Sequence, residues 1–178
     1  MATSIDDLKA VFSSKNGFAK PNRYRVVLPN TTESRELNIM CDSATFPGKQ
    51  IFTTEENITM KTEYAAYAYG TEDVEISFIL SNDWTPWNYL YDWYNKIVSV
   101  NAPRIQRVNY KSNYTYQMDL EHLDSENRLM KRVTLLNAFP TSLNSIELGN
   151  GNENEVIRVS ASFTYDNWIV RDDLNLRR

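Results

Sequence analysis

Along most of this chain apolar and polar residues alternate with period two, and in two places the pattern lengthens to the period of a helix. The first helical stretch is short. Ile5, Leu8, Val11 and Phe12 fall on one stripe, Ser4 is placed to cap it, and Asp6 and Asp7 sit at the positive end of its dipole. So short a helix is marginal alone and must dock on its own domain or on a neighbour; a packing helix at the domain edge is the simpler expectation. It ends near Gly17. Pro21 fixes its own φ at about −65° and pushes Lys20 away from helical geometry, so a turn follows. From Arg23 to Leu28, Tyr24, Val26 and Leu28 take one face and Arg23 and Arg25 the other, with Val27 the exception, which predicts a strand with one buried side. Phe18 and Tyr24 are expected to pack inward.

Pro29-Asn30 marks a turn, and Glu36 to Cys41 reads as a strand in which Leu37, Ile39 and Cys41 share a face, making Cys41 a buried small hydrophobe. Ala44 to Gly48 breaks the pattern. Gln50 to Thr54 and Ile58 to Lys61 then read as a hairpin whose acidic tip, Glu55-Glu56-Asn57, is by itself an ordinary solvated turn. Tyr64 to Gly70 is read as a loop. Val74, Ile76, Phe78 and Leu80 alternate into a strand. The second helix starts at Thr85, a potential N-cap, with Pro86 at the first helical position. Its stripe of Trp87, Leu90, Tyr91, Tyr94, Ile97 and Val98 predicts packing on a sheet, and Tyr89 and Trp93 outside it point to deep burial or to a second contact face.

Tyr114, Tyr116, Met118, Leu120 and His122 form another strand, Asp124 to Asn127 a turn, and Leu129 to Phe139 the returning strand. Gly149-Asn150-Gly151-Asn152 tolerates positive φ ahead of a strand with Ile157, Val159, Ala161, Phe163 and Tyr165 on one face and Arg158, Ser160, Ser162 and Thr164 on the other. About eight strands joined by short turns, with one packed helix and a short N-terminal helix, predict a mainly β fold, a sandwich or barrel.

Charge and composition narrow the chemistry. The chain has 178 residues, suiting one domain over residues 1–178, and its formal net charge of −4 is the wrong sign for gripping phosphates. Cys41 is the only cysteine and His122 the only histidine, so an intramolecular disulfide and a Cys/His zinc cluster within one chain are excluded. A Ser-His-Asp or Cys-His site would depend on His122, whose place at a strand end suits a surface or interface residue better than a catalyst. Neither a Gly-rich phosphate loop nor metal-ligand spacing is present, so no catalytic residue, cofactor or metal is expected. Apolar runs fall well short of the ~20 residues that span a bilayer, and the acidic start is unlike a signal peptide, so a soluble, cytoplasmic protein is expected. Eleven Tyr and four Trp exceed what a core needs and favour interfaces.

Four landmarks stand in order: Gly17-Phe18-Ala19-Lys20-Pro21-Asn22 entering a strand; Cys41 followed by Ala44-Thr45-Phe46-Pro47-Gly48; Phe139-Pro140-Thr141 as a corner before the last strand; and Val159 to Trp168, closing in Tyr165-Asp166-Asn167-Trp168. In this the chain resembles the tail tube proteins of contractile-tailed bacteriophages, the myovirus family. It departs in a longer Asn144 to Asn154 segment and in Ile169 to Arg178, an extension past the aromatic close; residues 1–22 form the N-terminal helix and arm.

The resemblance implies a structural virion protein, not an enzyme, assembled in the host cytoplasm. Hexameric rings would stack into a hollow inner tube, with the tail sheath, baseplate and tail terminator proteins as partners. DNA would pass transiently at ejection, with no membrane contact. Six copies at −4 each give −24 per ring, which suits transit better than capture. Ring stacking is expected to use the hairpin from Gln50 to Lys61, with Thr53, Thr54, Glu55, Glu56 and Asn57, and the helix from Ser4 to Phe12, with Ile5 and Leu8. Arg23 and Arg25 are candidate contacts to neighbours. Alternatives of the same fold are a tube initiator at the baseplate junction and a type VI secretion ring protein. From a different class, a carbohydrate-binding or glycoside-hydrolase sandwich could draw on Glu72, Asp73 and Glu75, against the simpler reading of a charged loop at a strand start.

Overall fold

The computed structural model describes residues 4–14, 18–29, 34–58, 61–99, 107–149 and 156–171. Within them the chain runs α1 (Ile5–Ser14), β1 (Tyr24–Val27), α2 (Ser34–Met40), β2 (Cys41–Ala44), β3 (Lys49–Ile58), β4 (Lys61–Thr71), β5 (Val74–Ile79) and α3 (Thr85–Ile97). Then follow β6 (Val98–Ser99), β7 (Arg107–Val108), α4 (Lys111–Tyr114), β8 (Tyr116–Leu123), β9 (Leu129–Leu143), β10 (Arg158–Thr164) and β11 (Asn167–Arg171). The fold is mainly β, as the alternation predicts.

One antiparallel sheet carries the core, in the order β1-β8-β9-β10-β5-β2, with β11 also on β9. β10 and β11 run end to end along β9: Phe163 and Thr164 oppose Pro140 and Phe139, and Asn167 and Trp168 oppose Leu136 and Leu135. Between them both lines bend. Asn137 takes φ 55°, which an Asn tolerates, and its side-chain amide donates to Asp166 Oδ2 at 2.8 Å. The bend lies just before Phe139-Pro140-Thr141, and β9 continues through that segment to Leu143 rather than ending at Phe139.

The inward rows are those the alternation picks out. Val26, Leu120 and Val133 lie side by side across β1, β8 and β9, and Ile76 and Phe78 face Ala161 and Val159 across β5 and β10. Helix α3 covers them with Pro86, Leu90 and Trp93. The Trp93 indole N–H donates to the Tyr114 carbonyl at 2.8 Å, and its ring meets Tyr116 edge-on at 5.5 Å, fixing the helix on the sheet.

Several elements differ from the sequence expectation. The strand expected from Glu36 to Cys41 is helix α2 up to Met40. Leu37 is 1% exposed and Ile39 74%, an inside-outside pair that a shared strand face forbids and a helix produces. Cys41 opens β2 and is only partly buried. In α3 the N-cap is Trp84, at φ 57°, not Thr85. The helix is also rotated from the expected stripe: Trp93 turns inward, with Tyr89 partly buried, while Tyr91 and Tyr94 are exposed, because a helix apolar on more than one side does not mark its buried face. Tyr64 to Gly70 is no loop but β4, where β-prone tyrosines alternate with alanines. Glu55, Glu56 and Asn57 accordingly lie inside β3, opposite Tyr64, Glu63 and Thr62, and the turn falls at residues 59–60, outside the described residues. So does the Gly149 to Asn152 turn after Gly149.

Candidate assembly surface

β3 and β4 pair only with each other, over registered partners from Lys49↔Thr71 to Ile58↔Lys61. Ten residues of strand extend about 33 Å. A two-stranded hairpin of this kind is marginal in water unless something covers it. Here it is wet on both faces while carrying apolar side chains: Ile51 is 66% exposed, Tyr64 69%, Tyr67 68% and Tyr69 63%, and Phe52 is also exposed. At the register shift beside Phe52 the Tyr67 ring comes within 6.4 Å of it. The Phe52 ring lies over Gly70, where a Cβ would stand 2.9 Å from it. The base is tied to the body by the Trp168 indole N–H donating to the Gly48 carbonyl at 3.4 Å and by Lys49 Nζ above the Trp168 ring.

The predicted hairpin residues Thr53, Thr54, Glu55 and Glu56 are all exposed on β3, and Glu56 faces Glu63 directly across the ladder. Asn57 lies in the same strand. Sequence reasoning missed the aromatic load of β4, although the tyrosine–alanine alternation from Tyr64 to Tyr69 was its visible signal.

Helix α1 forms as expected at its start: Ser4 Oγ accepts from the Asp7 N–H at 3.2 Å and Asp7 Oδ2 accepts from the Ser4 N–H at 3.1 Å. Yet it buries no residue. It does not pack at the domain edge, and Ile5, Leu8 and Val11 face solvent. Phe18, expected inside, is exposed too, and its ring stacks on Phe12 at 3.9 Å.

Arg23 donates to Asn127 Oδ1 at 3.1 Å. Arg25 already has an internal partner: its Nε donates to Glu121 Oε2 at 2.6 Å, while Arg132 Nε holds Oε1 at 2.8 Å. His122 lies against the Lys20 carbonyl, with Nε2 at 3.2 Å. Of the acids of the enzyme alternative, Asp73 is engaged through its carboxylate, and Glu72 and Glu75 through their backbone groups. Asp73 accepts from the Thr164 hydroxyl, the Tyr165 hydroxyl donates to the Glu72 carbonyl at 2.6 Å, and the Glu75 N–H donates to Thr45 Oγ1 at 2.8 Å. Among the described residues no group of three or more His, Cys, Asp or Glu is placed to hold a metal ion, and no helix is long and apolar enough to cross a membrane.

Solved structures share this fold. The sheath/tube terminator of PVC, an extracellular contractile injection system, superposes with a TM-score of 0.65 at 16% identity, covering 85% of this chain and 95% of the other. The tube terminating cap of the anti-feeding prophage gives 0.66 at 17%, covering 86% and 91%. The PVC sheath-tube complex gives 0.65 at 16%, covering 96% and 99%. No protein of curated function matches the sequence. Residues 11–171 match the family described as phage tail tube protein, and with that match running through every strand of the sheet, the chain belongs to that family.

Proposed function

We propose that this chain is the repeating subunit of a tail tube. Six copies close into a ring, rings stack into a hollow tube inside the sheath, and DNA passes through the tube at ejection. Residues 1–178 act as one structural unit without catalysis, assembled in the host cytoplasm and carried in the virion, with baseplate and terminator proteins at the tube ends.

The observation that carries this reading is the β3–β4 hairpin, whose two faces expose Ile51, Phe52, Tyr64, Tyr67 and Tyr69 together. Large apolar groups on a projecting ribbon mark a surface that a partner covers, and ring stacking supplies identical partners. Thr53 to Asn57 lie on that ribbon and form its stacking contacts. Ile5 and Leu8 provide a second contact. Arg23 remains a contact to a neighbour; Arg25 serves mainly to hold Glu121.

Negative-stain microscopy of the purified protein tests this reading. Stacked rings with sixfold end views are expected, and a monodisperse monomer at every concentration would overturn it. Copy number in an intact particle separates a repeating subunit from a single terminator or initiator ring.

A further inference from the structure

Beside α1 the body carries a groove of about 510 Å³ at the end of the β8–β9 hairpin. Its apolar lining is Phe18, Leu123 and Met130, and its cations are Lys20, Arg23 and Lys131. None of these cations has an ion-pair partner among the described residues. The one acid in the lining, Asp124, is taken up by Arg128, whose Nε donates to Oδ2 at 2.8 Å. The groove therefore offers apolar floor and net positive charge together, which suits an amphipathic segment with acidic flanks.

The chain contains such a segment. α1 presents Ile5, Leu8 and Val11 on one uncovered stripe, with Asp6 and Asp7 in its first turn. Its own groove does not receive it: the Phe12–Phe18 stack holds the C-terminal half of α1 at the groove rim, leaving the stripe in solvent.

We propose that α1 of one copy lies in this groove of the next, with Ile5, Leu8 and Val11 on Phe18, Leu123 and Met130, and Asp7, at the edge of that stripe, facing Lys131 or Arg23. A helix donated by one surface and accepted by another makes a head-to-tail contact, the kind that closes into a ring or propagates as a stack. The proposal rests on the tube reading and names the surfaces it uses.

Mixing two variants tests it, each in a Cys41→Ser background: one carrying Leu8→Cys, the other Met130→Cys. Under mild oxidation a disulfide-linked heterodimer is expected, and none from Ala10→Cys, on the helix's opposite side, mixed with Met130→Cys. Ile5→Cys with Ser125→Cys provides a second pair should Met130→Cys fold poorly. Tubes that form normally without either cross-link overturn the docking alone. A Leu8→Cys/Met130→Cys double variant that yields only a cross-linked monomer places α1 in its own groove and also overturns it. Absence of any ring or tube overturns both this and the tube reading.

Discussion

The Tyr24 hydroxyl donates to the Cys41 carbonyl oxygen across 3.2 Å, joining β1 to β2, the strands at the two ends of the seven-stranded sheet. The sheet is thus curled enough for one tyrosine side chain to reach from one end to the other. Both side chains titrate high: burial, and then the neighbouring thiol, push the Tyr24 hydroxyl up to about 12, and burial pushes the Cys41 thiol from 9.0 to about 11. A raised pKa in the folded state means that the fold holds the proton more tightly than the unfolded chain does. The stability that follows is fully present below pH 9.0 and fades as pH climbs through about 11. Urea melts should show a stability loss beginning above pH 9.0 that Cys41→Ser reduces. Iodoacetamide should label native Cys41 slowly at neutral pH and quickly once the protein is unfolded; equal rates would contradict its protected state.

Glu121 is 2% exposed and its two carboxylate oxygens are each held by a guanidinium, Arg25 on β1 and Arg132 on β9. This three-strand clamp sits on the face opposite Val26, Leu120 and Val133. Glu121→Gln keeps the shape but cannot neutralise either arginine. Hydrogen bonds to charged groups contribute about 1.5–3 kcal/mol, so a loss of about 2 kcal/mol is expected. Denaturant titration reads it directly, and an unchanged midpoint would mean that solvent screens the clamp.

The rows that face the core were legible because strict alternation has one outcome when one face is buried: Val74, Ile76 and Phe78, or Val159, Ala161 and Phe163, could point nowhere else. The errors came where period alone is ambiguous. Leu37, Ile39 and Cys41 fit a strand face on paper, and only the sheet topology, which needs a crossover between β1 and β2, decides for a helix. In the hairpin, acidic residues suggested a turn, although Glu55 and Glu56 only needed a solvated strand. What pairs with what across the chain, such as Arg25 with Glu121, leaves no local trace in sequence.

Phe18 and Phe163 separate surface from core. Phe18 is 70% exposed and Phe163 fully buried against Trp93 at 5.7 Å. Phe163→Ala should cost about 3–5 kcal/mol, as large-to-small changes in a closed core do. Phe18→Ala should change monomer stability by no more than about 0.5 kcal/mol, as surface substitutions do, and act instead on assembly. Thermal melts of the two variants check the contrast, and a large loss for Phe18→Ala would show that it packs inward after all.

The hairpin can be shortened without touching the body. Its anchoring contacts, Trp168 with Gly48 and Lys49 and Phe52 over Gly70, all lie at or near the base. Replacing Thr53 to Tyr67 with Asn-Gly leaves these in place and joins the paired residues Phe52 and Ala68 by a two-residue turn that suits a hairpin. Since β3 and β4 hydrogen-bond to no other strand, the variant should keep the wild-type melting temperature. It should also lose the tubes, because Thr53 to Asn57, Tyr64 and their exposed neighbours are gone. Microscopy and sedimentation at matched concentration decide. Tubes of ordinary length from the shortened chain would remove the hairpin from the stacking contact and leave α1 as the surface that joins copies.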